Sequence, residues 1–393
     1  MGLLAALRAN LGELGEAPQE FEYRLLSWGE LYPGSAIVDQ RSGAARWILA
    51  EWPFKLFRSS DPDQIPQRLC LQFRLPSEPG AKYIDYDRVA SELAAFLSVV
   101  TRRRVVAEAM TRRGDLPEEH PIHLYGHSYW QPTQAPMLVD SRDVIRLLEA
   151  ARRLPETIGT GLVLALRLYH SAVQMLYSET DMAYLLLMMS LEAVSGVVIA
   201  DYRLSDDGPL AEEEYLDNKF AGWKALMQSD TAEERKRIAA ILTANERFVK
   251  RKLLRFVRCY TPPQFFTQDL DDAKPDYVHS VVMPDPAGLG TERVQRSSKR
   301  LGKAERIDAG ELESMLDTAY DRRSQFVHAG RPFPRGIAIG FPRIPGECLE
   351  EMINTFAHAG GHKVRYPAIP TLLTLDRLVS ACLIGYLRSQ TTD

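Results

Sequence analysis

Two hydrophobic patterns divide the chain. Between about residues 21 and 129, short apolar runs with partial alternation and β-branched or aromatic content are separated by Pro and Gly, which predicts strands. The runs are EYRLLSWG, GAARWILAEW, QRLCLQFRL, RRRVVAEAM and HPIHLYGHSYW. One helical stretch interrupts them, YDRVASELAAFLSVV, with Val89, Leu93, Phe96 and Leu97 on one face. We therefore expect a small mixed α/β domain over residues 1–139.

From residue 140 the hydrophobic period becomes that of helices. A Ser and an Asp are placed to cap the first helix, and Gly330 and Pro332 are placed to end the penultimate one. The helical segments are SRDVIRLLEAARRL, GLVLALRLYHSAVQML, MAYLLLMMSLEAVSGVVIA, the long periodic run TAEERKRIAAILTANERFVKRKLLRFVRCY, AGELESMLDTAYDRRSQFVHAG and TLLTLDRLVSACLIGYLRS. The prediction is an α+β protein whose residues 140–393 form an all-α bundle, with a polar, basic insertion at about 261–307.

Composition narrows the class of protein. The 393 residues carry 48 basic and 52 acidic side chains, a formal charge of −4, with ordinary hydrophobic content. These values exclude a disordered chain and a generally basic nucleic-acid coat. The four cysteines lie far apart, which argues against a disulfide framework or a zinc site of usual spacing. The most apolar stretch contains Glu192, so we interpret it as a buried helix and expect a cytoplasmic protein without membrane contact.

The local charge differs from the total. Residues 231–306 hold 16 Lys and Arg against 10 Asp and Glu, a balance of +6. Within them Phe248 and Phe256 accompany basic residues at near-helical spacing, Lys250, Arg251, Arg255 and Arg258. This pattern fits an RNA-attracting surface. It fits a solvated amphipathic helix equally well, and the sequence leaves both interpretations open.

The penultimate helix contains the candidate chemistry. Leu312, Met315, Leu316, Ala319, Tyr320 and Val327 define its apolar stripe, and the spacing places Arg323 on that stripe. His328 follows five residues later, in the last turn, where the helix dipole favours a cation. Positions five apart on a helix point about 140° apart. The two side chains therefore converge only through the long arginine stem, distortion of the helix end, or a second copy of the chain.

The segment YDRRSQFVHAG, Tyr320 to Gly330, resembles the Tyr-Asp-x-Arg-Ser-x-x-Val-His-Gly signature of ApeA-like HEPN domains. The final Gly of the signature is replaced here by Ala329 and recurs one place later. LALRLYHSAVQM and YLLLMMSLEAV resemble the first two core helices of that family, which often has an acidic residue at the position of Glu192. AFLSVVTRRRV resembles a segment found ahead of such domains. HEPN proteins are helical, bind nucleotides and often cleave RNA.

The resemblance implies a metal-independent endoribonuclease that requires no cofactor. His328 would act as general base or acid, Arg323 would stabilise charge on the phosphoryl oxygens, and Ser324 and Glu192 would support them. The predicted RNA contacts are Arg322, Arg300, Lys299 and Arg296. Many HEPN sites form across a homodimer, so a composite site is expected. The implied biological role is a regulated toxin or antiphage defence effector, with a phage-derived or cellular trigger sensed by the N-terminal region.

Other interpretations stay open. Arg323 and Glu192 are also consistent with a plain ion pair between two core helices, and His328 with a histidine that satisfies a helix-end carbonyl. The chain would then be a catalytically inactive HEPN scaffold that binds nucleotide, RNA or a protein partner. A third option is a regulator that binds a small ligand through its N-terminal region. Two histidine pairs have weak metal-site spacing, His123 and His127 (near Tyr129), and His358 and His362.

Overall fold

A computed structural model of the chain describes residues 2–8, 20–27, 31–32, 35–38, 45–50, 55–58, 67–74, 85–112, 139–176, 178–207, 214–217, 219, 233–234, 237–238, 248–267, 307, 309–334, 348–349, 352–354, 363–365 and 368–391. Helices dominate this part of the chain. They are α1 (Leu3–Arg8), α2 (Tyr86–Thr101), α3 (Ser141–Arg153), α4 (Glu156–Met175), α5 (Thr180–Val198), α6 (Val249–Tyr260), α7 (Gln264–Thr267), α8 (Ala309–Ala329) and α9 (Leu372–Ser389), with a 3-10 turn at Leu204–Asp207.

Helix boundaries follow local capping chemistry. Asp85 caps α2 by accepting a hydrogen bond from the Arg88 backbone N–H at 3.0 Å, and Thr371 caps α9 by accepting from the Thr374 N–H. Gly330 ends α8 at φ +62°, a left-handed conformation that glycine adopts without steric cost. The predicted end of the penultimate helix is thereby confirmed.

The strands are short and mostly antiparallel. β1 (Glu20–Ser27) lies between β6 (Gln67–Arg74) and β7 (Val105–Arg112). The same sheet contains β3 (Ser35–Val38), β4 (Ala45–Ala50) and β5 (Lys55–Arg58), and its strand order is β3-β4-β5-β6-β1-β7. Two-residue and three-residue strands form separate pairs, namely β2 (Leu31–Tyr32) with β8 (Val139–Asp140), β10 (Met352–Asn354) with β11 (Lys363–Arg365), and β9 (Cys348–Leu349) with β12 (Ile369–Pro370).

The predicted α+β class, with a small mixed α/β N-terminal domain, is wrong. Among the residues that the structure describes well enough to interpret, 79% are helical. Helix α2 packs on α4 and α9, and its residues join those of the later helices in one continuous hydrophobic core. Buried side chains of the strands, Leu25, Leu71 and Val105, belong to the same core. The boundary between residues 139 and 140 itself stays a prediction.

Polar contacts reinforce this shared core. Ser380 of α9 donates to the Val99 carbonyl of α2 at 2.8 Å, and the Leu3 N–H of α1 donates to the buried Glu92 carboxylate at 2.7 Å. Local patterning could not reveal such contacts because each joins segments 89 or more residues apart in the chain. Local patterning therefore predicts a separate strand-rich domain, whereas the buried side chains of its strands belong to the core that the helices form.

Helix α5 is the most apolar helix of the described part of the chain. It is long and apolar enough to cross a membrane by length and composition, and half of that window is buried inside the molecule. Its neighbours are α4, with which it packs along its length, and α6, α8 and α9. Ser190 donates to the Ala165 carbonyl at 2.8 Å, which ties α5 to α4.

Candidate functional site

Helix α8 presents the Arg-x4-His motif from a partly buried position. Leu312, Met315, Leu316 and Ala319 are buried, as their spacing predicts. The stripe fails at its end, because Val327 is 48% exposed. The last turns of α8 are therefore more open to solvent than the sequence indicates.

Arg323 forms an ion pair with Glu192 of α5. Its Nη2 donates to Glu192 Oε2 at 2.8 Å, and the two side chains are only 18% and 15% exposed. The guanidinium also lies 5.7 Å from the centre of the Tyr320 ring. Burial raises the pKa of the Glu192 carboxyl, although the nearby Arg323 opposes that shift. This contact is the one that both the catalytic and the structural interpretations anticipate.

The pair leaves hydrogen-bonding capacity unused. Arg323 Nε and Glu192 Oε1 are buried, and neither has a hydrogen-bond partner among the described residues. A buried polar atom without a partner costs free energy. The arginine is thus held by its contact with Glu192, while its buried Nε has no acceptor among the described residues.

His328 occupies a different environment from Arg323. It is exposed, in the last turn of α8, whereas Arg323 turns toward α5. Among the described residues, no hydrogen bond or ion pair joins the side chains of Arg323 and His328 to a common partner. Ser324 and Arg322 are both half-buried on the same helix. The roles assigned to these four residues stay predictions.

In helix α6, each of the four basic residues that the sequence analysis names has a carboxylate partner. Lys250 lies 2.7 Å from Asp317 and 2.9 Å from Asp321, both in α8. The other three pairs are Arg251 with Asp207, Arg255 with Asp206, and Arg258 with Glu313. Because nearby carboxylates offset these cations, α6 is not the open basic surface that one interpretation of the sequence requires.

Sequence reasoning missed these acidic partners, although a signal for them exists. Glu313, Asp317 and Asp321 are spaced by four along α8, so they share one face of the helix. The basic residues of α6 have a matching spacing. An acidic face on one helix and a basic face on the other together predict that α6 and α8 pack against each other. Tyr320 was also assigned to the apolar stripe alone, whereas its ring contacts both Arg323 and Lys250.

Helix α6 begins later than the periodic run in the sequence. Phe248, which precedes its first residue, has φ +46° and ψ +35°. This left-handed conformation is rare for a bulky side chain. The ring lies 5.6 Å from both the Tyr202 and the Tyr215 rings, centre to centre. Aromatic packing therefore holds a backbone conformation that the hydrophobic period does not reveal.

Several predicted residues lie outside the described part of the chain. They are the RNA-contact candidates Arg296, Lys299 and Arg300, and the histidines His123, His127, His358 and His362. Within the described residues, no three His, Cys, Asp or Glu side chains are grouped so as to hold a metal ion.

Comparison of the chain with known protein families, with curated proteins and with solved structures finds no match. Functional inference therefore depends on the residues and on their geometry.

Proposed function

We propose that this chain is a metal-independent endoribonuclease of HEPN type, a cytoplasmic toxin or defence effector whose site forms between two copies. The observation that carries the proposal is the contact of Arg323 with Glu192, which fixes the motif arginine while its Nε has no partner among the residues that the structure describes. Preorganised donors of this kind stabilise charge that develops in a transition state. The exposed His328 lies about 7.5 Å further along the helix axis, given 1.5 Å per residue.

The proposed reaction uses the 2′-hydroxyl of the RNA itself as nucleophile. Its oxygen bonds to the adjacent phosphorus as the bond to the 5′-oxygen breaks, which yields a 2′,3′-cyclic phosphate and a 5′-hydroxyl. His328 accepts the 2′-hydroxyl proton or donates one to the leaving oxygen, and Arg323 binds the phosphoryl oxygens. No step in this scheme requires a metal ion.

A composite site removes the geometric problem of the single chain. On an isolated helix Arg323 and His328 point about 140° apart. A two-fold interface brings the arginine of one copy to the histidine of the other. The exposure of His328 and Val327 leaves that end of α8 accessible to such a partner.

The inactive scaffold remains the second candidate function. A partly buried ion pair between two core helices serves architecture as well as catalysis, and the paired cations of α6 reduce its attraction for a polyanion. A scaffold has no requirement for a histidine five residues after the arginine.

The first prediction is that purified protein cleaves RNA in EDTA and that His328→Ala abolishes cleavage. Arg323→Lys should lose most activity, because a point charge cannot replace a planar fork that binds two oxygens. Products are analysed for a 2′,3′-cyclic phosphate. Ser314→Ala, an exposed change near the start of the same helix and away from the motif, is the control and should leave cleavage intact. Strict dependence on Mg²⁺, or equal cleavage by His328→Ala, would contradict the proposal.

Mixing two inactive variants tests the composite site. Dimers that combine Arg323→Met with His328→Ala contain one intact site when each site takes its arginine and histidine from different copies. Such mixtures should recover about a quarter of wild-type activity for random pairing of the two variants. A mixture that stays inactive would mean either that one chain supplies both residues of a site or that the two residues do not form a site.

A further inference from the structure

A cavity of about 600 Å³ lies between α6 and α8. Its size is typical of small-molecule sites. Tyr320 lines it and its ring also contacts the Arg323 guanidinium, at 5.7 Å. Tyr320 thus stands between the cavity and the proposed catalytic arginine, which does not itself line the cavity.

Three aromatic rings line this cavity. Tyr215 and Phe248 are in contact with each other, with ring centres 5.6 Å apart, and Tyr320 comes from α8. The backbone of Phe248 is held in a left-handed conformation. Strain of this sort costs about 1–3 kcal/mol and tends to be found at ligand clamps. The strained conformation places an aromatic side chain in the wall of the cavity.

The charges in the cavity are balanced. Three cations, Lys250, Arg251 and Arg258, and three carboxylates, Asp207, Glu313 and Asp317, contribute to its lining. A polyanion would meet as many negative groups as positive ones, so the cavity does not suit a run of phosphates. A planar group with both donors and acceptors on its edges, joined to a single phosphate, matches this lining better.

The ion pairs at the cavity can exchange partners at little cost. Lys250 is 29% exposed and its partner Asp317 is 48% exposed; Arg258 and Glu313 are more open still. Exposed pairs of this kind contribute about 0–1 kcal/mol. One phosphate can therefore replace a carboxylate beside Lys250 without a large loss of stability.

We infer that this cavity receives one unpaired nucleobase of the RNA substrate, stacked on the aromatic rings, with the adjoining phosphate near Lys250. The inference rests on the proposed function. It specifies single-stranded or looped RNA, because a base inside a duplex cannot leave the stack to enter a side pocket without cost. It also predicts a shallow salt dependence of binding, since affinity comes from stacking more than from phosphate contacts.

The test uses the full chain with His328→Ala, which keeps the RNA intact. A short single-stranded oligoribonucleotide carrying one 2-aminopurine should bind with quenched fluorescence, and the same sequence in a duplex should bind much more weakly. Tyr215→Leu and Phe248→Leu, each made in the His328→Ala background, should weaken binding by roughly tenfold, as expected for loss of one stacking partner. Tyr260→Leu, the same change at the far end of α6 and outside the cavity lining, should leave affinity unchanged. Circular dichroism checks that every variant is folded.

The outcomes separate this inference from the proposed function. Equal affinities for Tyr215→Leu, Phe248→Leu and Tyr260→Leu would overturn the base pocket, even when wild type cleaves RNA in EDTA. Adenosine 5′-monophosphate that binds as tightly as the oligonucleotide would identify a free nucleotide as the ligand and overturn the RNA assignment. A steep salt dependence would show a phosphate track instead of a stacking pocket. Loss of cleavage with retained base binding would count against the nuclease alone.

Discussion

At the scale of single residues, the ion pair between Arg323 and Glu192 determines how α8 contacts α5. Both groups are largely shielded from water, so their attraction is stronger than that of a surface pair, while each has lost hydration. The raised pKa of Glu192 indicates that the loss of hydration outweighs the attraction of Arg323 for the carboxylate. The pair therefore stabilises the helix contact only while both partners are present.

We predict that removal of either partner destabilises the protein and that removal of both costs less than the sum. Glu192→Gln and Arg323→Met should each lower the free energy of unfolding by about 1–3 kcal/mol, with a coupling energy of about 1 kcal/mol or more in a double-mutant cycle. Urea unfolding measures these values. The surface pair Arg153–Glu149, 50% and 36% exposed, is the control and should couple by about 0.3–0.5 kcal/mol. Coupling at Arg323–Glu192 no larger than this control would contradict the argument.

The sequence identified the members of this pair but not the site around them. Periodicity placed Arg323 on the inner side of α8, and the position of Glu192 in an apolar helix required a buried partner. The orientation of His328 was not predictable in the same way, because it depends on the helix end and on neighbours distant in the chain. Tyr215 gave no signal, and Phe248 was marked only by its place beside the basic residues of α6, since no local pattern marks two aromatic residues that meet across a helix start.

At the scale of elements, the contact between α6 and α9 depends on one glycine. Gly385 lies inside α9, where a Cβ would overlap the Tyr260 carbonyl oxygen at the end of α6. The obstacle is backbone, so it cannot rotate away. Gly196 in α5 provides the opposite case, because it is exposed and a Cβ there would meet nothing within 4 Å.

Alanine at these two glycines should therefore have opposite effects. Gly385→Ala must push α6 from α9 and should lower the free energy of unfolding by about 1–3 kcal/mol. Gly196→Ala should raise it by about 0.5–1 kcal/mol, because alanine has the higher helix propensity. Chemical unfolding of the two variants beside wild type measures both changes. A stabilised Gly385→Ala would mean that the two helices do not approach as closely as the structure indicates.

Element prediction succeeded where local chemistry determines the ends of a helix. Helix α2 begins at Tyr86, the first residue of the predicted helical stretch, and α8 ends at Ala329, directly before the predicted stop at Gly330. It failed for the start of α6, where tertiary packing of three rings holds Phe248 outside helical geometry. Strand runs were recognised by composition, but the pairing of β1 with β7 joins residues too far apart for any local pattern to predict.

At the scale of the whole molecule, charged groups are buried where the early and late parts of the chain meet. Asp376 of α9 is 3% exposed and Arg102, after α2, is 7% exposed. Arg102 Nε lies 3.9 Å from Asp376 Oδ2, and Asp376 Oδ1 has no hydrogen-bond partner among the described residues. Tyr169 of α4 and Arg103 also act on this carboxyl. A separate N-terminal domain would have no reason to share such a cluster with the last helix.

Burial raises the pKa of the Asp376 carboxyl above its ordinary value of 3.8, and Arg102 opposes the shift only in part. The folded state consequently holds this proton more tightly than the unfolded state. The group's unfavourable contribution to stability is absent below the unfolded pKa, grows as pH rises from about 4 through the folded pKa, and is complete above it. Asn at this position cannot ionise, so it escapes that loss.

The free energy of unfolding of Asp376→Asn, measured relative to wild type, should therefore increase as pH rises from about 4 and level off above the folded pKa. Urea unfolding at a series of pH values gives this difference directly, whatever constant offset arises from the partner that Arg102 loses. Ser380→Ala is the control on the same helix. It removes the bond to Val99 without changing a titratable group, and its offset should be the same at every pH. A pH-independent offset for Asp376→Asn would show that this carboxyl titrates alike in both states, and that α2 and α9 do not enclose it as the shared core requires.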